Sequence, residues 1–284
     1  MAILKLKPVC KDYVWGGRRL VEEFGIDCDK KILAEAWMLS CHADGTSTLE
    51  SGEPLSDYIA RNGKKILGTN CQSFKDFPIL IKLIDARENL SVQVHPTDDY
   101  ALEHEGQLGK SEMWYVLDAD ENSVLWCGFK KKISRDEFAT RIKSNTLLEV
   151  LNAVPVKKGD AFFIESGTLH AIGKGILLAE IQQNSNVTYR IYDYGRVGKD
   201  GKPRELHVAK AKEVTQLKPP TRDVKPLASI DLFPQAQAEL LAACEYFTVY
   251  HFNVQGAVNL FVGEEFLQSF LSVRCLKHRK IFFD

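Results

Sequence analysis

The stretch that most constrains this chain is residues 159–196, GDAFFIESGTLHAIGKGILLAEIQQNSNVTYRIYDYGR. It holds two short, mostly apolar runs, Ala161–Ile164 and residues 176–181, each bounded by Gly-containing turns, the mark of strands in a sandwich or barrel. His170 lies between the runs and is expected on a turn. Glu180 falls among aliphatic neighbours, where an unpaired carboxylate is costly, so it requires a partner. Residues 189–194 alternate, which puts Arg190, Tyr192 and Tyr194 on one strand face and Tyr189, Ile191 and Asp193 on the other. The Arg190 face is suited to a polar ligand.

Composition limits what can bind there. The 284 residues are 45% hydrophobic and 26% charged, ordinary values for a globular chain able to bury a sizeable core. Lys+Arg 37 against Asp+Glu 38 leaves a formal charge of -1, so no global field draws the chain to nucleic acid or a membrane. A small molecule is the expected partner. Seven cysteines, an odd number without a C-x-x-C pair, fit a reducing compartment better than a disulfide framework. The first residues, MAILKLKPVCKDYVWGG, lack a signal-peptide core, and no apolar run is of membrane-spanning length. The expectation is a cytoplasmic protein.

Upstream segments supply further polar groups. In residues 77–85 (FPILIKLID) Lys82 shares a strand face with Leu80 and Ile84, so its ammonium either snorkels to an edge or enters an interior polar cavity. Residues 91–95 alternate strictly, with Gln93 and His95 on one face and Val92 and Val94 on the other, and Pro96 ends the strand. Side chains at i and i+2 point the same way, as neighbouring ligands of one metal must. Glu112 stands at the entrance of another apolar strand, and His170 adds a second imidazole. Two imidazoles, a carboxylate and an amide oxygen suit Zn2+ or another first-row divalent ion, with room for water or substrate. The other histidines have no comparable context. Trp15, beside the Gly16-Gly17 turn, either lines a pocket or buries its ring in the core. Glu35 and Trp37 share one face of a strand at residues 34–40. Helices are expected at residues 18–24, at Leu55–Asn62 and over residues 134–153, where Ser134 and Glu137 form a capping box.

These residues carry a family resemblance. Gly159, Gly167 and His170 resemble the second cupin motif, with Glu165 where that motif has Pro. LSVQVHP (residues 90–96), GKSEMWY (109–115), GTLHAI (167–172) and AEIQQNSNVTYRIYDYGR (179–196) resemble type I phosphomannose isomerase. YVWGG near the start and LIKLIDARENL (80–90) agree with its short bacterial form. The resemblance runs from about Tyr13 to His207.

It implies a mainly β, cupin-type β-sandwich (jelly roll) with helical insertions. It also implies a zinc-dependent aldose-ketose isomerase, with one Zn2+ per chain, interconverting mannose 6-phosphate and fructose 6-phosphate. Matched by motif, the metal ligands would be Gln93, His95, Glu112 and His170. Arg190 would be catalytic, and Lys110, Glu180, Lys82 and Trp15 would line the pocket. Lys110 and Glu180 are both candidates for the base, and Arg190 could instead hold the phosphate. The alternative is a cupin that binds a sugar phosphate as a sensor without turning it over.

Beyond Val214 the resemblance fails. A proline-containing linker and a helix around residues 235–243 are expected over 215–243. Residues 244–254 would then form the first strand of a smaller, incomplete second β domain at 244–284, behind a catalytic domain at 1–214. Its tail, RCLKHRKIFFD (274–284), lacks a strand-and-turn pattern, and unpaired edges there would favour self-association.

Overall fold

The computed structural model describes residues 3–198, 201–221, 226–233, 236–255, 265 and 267–269. The expectation for residues 274–284 lies outside them.

Eleven strands build the main body: β1 (Val9–Lys11), β2 (Glu35–Leu39), β3 (Ile79–Ala86), β4 (Val92–Val94), β5 (Glu112–Ala119), β6 (Val124–Phe129), β7 (Leu151–Pro155), β8 (Ala161–Ile164), β9 (His170–Ile172), β10 (Ile176–Gln183) and β11 (Tyr189–Tyr192). They form a six-stranded sheet ordered β8-β5-β10-β3-β2-β1 and a five-stranded sheet ordered β7-β6-β9-β4-β11. Every pairing is antiparallel. Alternation along each strand sends one set of side chains between the sheets and the other outward. Between them, Ile84, Trp114, Val116, Phe162, Ile176 and Leu178 of the larger sheet pack with Leu125, Cys127 and Ile172 of the smaller. This half of the interior is apolar, and the other half holds the site.

The outer faces are covered separately. On the smaller sheet, Val92, Val94, Tyr189 and Ile191 pack under Phe138 of the helix Arg135–Lys143 and Ala211 of the helix Val208–Val214. Helices α1 to α5 span Arg19–Glu22, Leu55–Asn62, Asp98–Glu105, Arg135–Lys143 and Val208–Val214. On the larger sheet, Leu83 and Ala179 pack against Leu20 of α1.

Several expectations need correction. The helical piece at residues 134–153 stops at Lys143. Ser134 caps the helix, with Glu137 N donating to its Oγ at 3.1 Å, but Asn145 takes φ 57° and the chain turns there. Residues 151–155 then pair with β6 as β7. His170 is not on the turn but opens β9. Tyr194 leaves the Arg190 face because the strand ends at Tyr192 and Tyr194 adopts φ 57°.

The largest correction is at residues 235–243. Gln235 lies outside the described residues, and Ala236–Ala243, rich in helix formers, is a strand, β13, between β12 (Ala228–Phe233) and β14 (Thr248–Val254). Hydrogen bonding on both edges, together with packing of Leu241, Ala242 and Phe247 on Met113 and Ala161, overrides the helical propensity. The strand expected to begin at Cys244 starts at Thr248 and is the third of this small sheet, which lies on the outer face of the six-stranded one.

Candidate functional site

Two cross-strand rows face each other across the polar half of the sandwich. In the six-stranded sheet, Trp37 pairs with Lys82, Lys82 with Glu180, and Glu180 with Trp114. In the five-stranded sheet, Cys127 pairs with His170, His170 with Gln93, and Gln93 with Arg190. Side chains opposite one another on adjacent strands project together, so each register puts a line of functional groups on the inner wall. His95 and Lys110 lie just beyond the ends of β4 and β5, and Glu112 opens β5.

His95, Glu112 and His170 are buried, and their ligand atoms lie within 4.8 Å of one another, the one such group of His, Cys, Asp and Glu among the described residues. The imidazoles are fixed by backbone. His95 Nδ1 stands 2.8 Å from the Val187 carbonyl and His170 Nδ1 2.8 Å from the Thr168 carbonyl. A carbonyl only accepts, so each Nδ1 carries the proton and each neutral ring turns an Nε2 lone pair inward. Those nitrogens face Glu112, at 3.5 Å from Oε2 for His95 and 3.3 Å from Oε1 for His170. Glu112 Oε1 is buried without a hydrogen-bond partner. Lone pairs converging on a carboxylate call for a cation, and this donor set fits a divalent first-row ion. The backbone carbonyls behind the rings orient them as such ligands are usually oriented.

The turn before His170 is secured despite Glu165 replacing proline. Thr168 N donates to the Glu165 carbonyl at 3.0 Å, and Gly167, at φ 86°, donates its N–H to the His95 carbonyl at 2.7 Å. The two imidazole segments are therefore tied directly to each other. Gln93 sits beside His170, its Nε2 3.4 Å from His170 Nε2 and its Oε1 accepting from Ser91 Oγ at 3.0 Å.

Lys110 donates to Glu112 Oε2, lies 3.2 Å from His95 Nε2 and reaches to 3.7 Å from Glu180 Oε1. Glu180 is also 3.2 Å from Lys82 and accepts from Trp114 Nε1 at 3.0 Å, which supplies the partner its burial requires. Lys82 does not snorkel. It is buried and pairs with Glu35 at 3.6 Å, while Trp37 Nε1 donates to the same carboxylate at 2.7 Å. Sequence reasoning noted Glu35 and Trp37 on one face but assigned them no place in the site.

Burial dominates the electrostatics. It pushes the Glu112 carboxyl up to about 7, with Lys110 opposing and Glu180 adding. Burial would raise Glu180 as well, but Lys110 and Lys82 hold it down to about 2. Burial lowers His170 to about 4, and lowers His95 well below the usual histidine range with help from Lys110. Both rings thus stay neutral, the form a metal requires.

Arg190 borders this cluster from β11. Its Nε is buried and unpaired, and burial together with Arg204 lowers its pKa. Among the described residues its guanidinium has no ion-pair partner, so it is available to an incoming anion. Trp15 is buried in the apolar cluster, its ring stacked on Tyr13 at 5.7 Å.

A jelly-roll sandwich with two imidazoles and a carboxylate turned toward one another between its sheets defines a cupin-type protein with a candidate metal site. Residues 3–124 match the family described as phosphomannose isomerase type I, catalytic domain. A mannose-6-phosphate isomerase of Streptococcus mutans is 39% identical over 87% of this chain and 77% of its own. The crystal structure of the Bacillus subtilis mannose 6-phosphate isomerase superposes with a TM-score of 0.82 at 35% identity, covering 90% of this chain and 81% of that one. A mannose 6-phosphate isomerase solved with zinc and yttrium shares the fold, with a TM-score of 0.60 at 18% identity over 85% of this chain and 84% of its own. The chain belongs to the type I phosphomannose isomerase family. No helix among the described residues is long and apolar enough to cross a membrane.

Proposed function

We propose that the chain interconverts mannose 6-phosphate and fructose 6-phosphate, with Zn2+ held by His95, Glu112, His170 and Gln93. The observation that carries this reading is the convergence of two inward Nε2 lone pairs on the buried Glu112 carboxylate, whose Oε1 has no hydrogen-bond partner. Gln93 would join as the fourth ligand by exchanging its amide oxygen and nitrogen, which turns the oxygen from Ser91 toward His170. The zinc bound in the related isomerase supports the choice of metal.

When bound, the ion supplies Lewis-acid polarisation of the sugar oxygens. The chain's own groups divide the remaining work. Moving a carbonyl to the adjacent carbon removes a proton beside it and builds negative charge on oxygen. Arg190, whose buried Nε has no hydrogen-bond partner, stabilises that charge or holds the phosphate. Glu180, held down to about 2, is a poor proton acceptor at neutral pH. Lys110, the closer of the two to the His–Glu cluster, would carry the proton between carbons from its neutral amine form, taking it from one carbon and returning it to the next. Glu180 and Lys82 orient it, and residues 1–214 provide all the reacting groups.

A coupled assay for fructose 6-phosphate formed from mannose 6-phosphate, before and after chelation and Zn2+ repletion, tests the proposal. Turnover that chelation removes and Zn2+ restores supports it. Sugar-phosphate binding without turnover under both conditions would instead establish the sensor reading.

A further inference from the structure

The segment carrying Lys110 is held by backbone hydrogen bonds on both sides of that residue. Gly109 N donates to Asp98 Oδ1 at 2.8 Å, Ser111 N donates to Gln183 Oε1 at 2.7 Å, and Lys110 N itself donates to the Pro96 carbonyl at 3.2 Å. The two side-chain acceptors are joined, since Gln183 Nε2 donates to Asp98 Oδ1 at 2.9 Å. Gly109 lies so close to Pro96–Asp98 backbone that any Cβ would collide with it. The bracket is completed from outside the sandwich. Tyr246, in the turn between β13 and β14, donates its hydroxyl to Asp98 Oδ2 at 2.5 Å. Phe247, Leu241 and Ala242 anchor that turn on Met113, the residue after Glu112.

We propose that Tyr246 and Asp98 are positioning residues for Lys110, through which the small C-terminal sheet sets the placement of the proton-carrying side chain. The Asp98 carboxylate accepts hydrogen bonds from Gly109, Gln183 and Tyr246, and bonds to an ionised acceptor are stronger than neutral ones. With the tyrosine hydroxyl removed, one carboxylate oxygen loses its protein donor, and Asp98 is free to turn away from the Gly109 amide. Lys110 reaches the His–Glu cluster from the short segment between α3 and β5, so a small backbone displacement is carried to its Nζ. Neither positioning residue touches the metal ligands. This inference rests on the isomerase reading for its effect on rate, but not for its effect on the segment itself.

The test compares wild-type chain with Tyr246→Phe, Asp98→Asn and the double variant, and uses Tyr250→Phe, an exposed tyrosine of the same sheet, as control. Two readouts are taken: steady-state kinetics with Zn2+ present, and hydrogen exchange of the Gly109 and Ser111 amides. Tyr246→Phe should lower kcat about tenfold with KM within about twofold, as expected when a reacting group is misplaced and binding is kept. Exchange at Gly109 and Ser111 should accelerate. The double variant should be little worse than Asp98→Asn alone, because both act through one carboxylate. Unchanged amide exchange in Tyr246→Phe overturns the proposal whatever the kinetics. Faster exchange with wild-type kcat, or an equal loss in Tyr250→Phe, overturns it too. A wild-type chain without isomerase activity would defeat the functional reading instead, and amide exchange would then decide this proposal alone.

Discussion

Lys82 and Glu180 are direct cross-strand partners on β3 and β10, with Nζ 3.2 Å from Oε1, and both are buried. The pair lies in the middle of a chain of alternating charge that runs from Glu35 through Lys82, Glu180 and Lys110 to Glu112. Charges this deeply buried persist only when each has an opposite neighbour.

Removing Lys82 should therefore expose the repulsion it neutralises. Lys82→Met leaves Glu35 and Glu180 without their shared cation and should destabilise the fold by about 3–5 kcal/mol. Urea unfolding measures this, and adding Glu180→Gln should recover part of the loss. Equal stability of wild type and Lys82→Met would show that the buried pairing contributes nothing.

Arg190 should behave in the opposite way. Its guanidinium has no ion-pair partner among the described residues, so Arg190→Ala should leave the melting temperature nearly unchanged. Loss of a group that stabilises developing charge lowers kcat by about 10²–10³-fold. A variant that melts normally and retains near-normal kcat contradicts its assignment to the reaction.

Metal content should follow the inward lone pairs. After chelation and dialysis against Zn2+, the wild-type chain should retain one ion, measured by atomic emission. His170→Ala should retain far less while keeping its β-sheet circular dichroism. Full Zn2+ retention by both His170→Ala and Glu112→Gln would place the ion elsewhere.

Acid stability should depend on Asp193. Although burial raises it, hydrogen bonds from Arg204 and Arg196 hold its carboxyl below the usual value of 3.8. A depressed folded-state pKa gives stability that is fully present above the unfolded value and is lost as pH falls through the folded one. The melting temperature of wild type should thus fall as pH drops below about 4, and Asp193→Asn should flatten that part of the slope. Identical acid slopes would remove Asp193 as a contributor.

How far these features could be read without coordinates depends on the range of the physics. The alternation of Gln93 and His95 against Val92 and Val94, the apolar setting of Glu180 and the capping box at Ser134 are local, governed by strand and helix periods over a few residues. The strand alternation and the setting of Glu180 are where the sequence places them, and Ser134 supplies its half of the capping box. Residues 235–243 read as a helix because their alanines, glutamines and leucines favour one locally, and nothing in Ala236–Ala243 reports two neighbouring strands and the Met113 face beneath them.

The sequence by itself determined which side chains turn to a common face, because strand alternation is a property of consecutive residues. Only tertiary structure decided which faces meet. The registers that align Trp37, Lys82, Glu180 and Trp114 on one wall, and His170, Gln93 and Arg190 on the other, join strands distant in the chain. The same holds for Tyr246, 148 residues from the Asp98 it bonds. Such partners are selected by how whole sheets pack and exclude water, a condition on the assembled chain that no short stretch of it records.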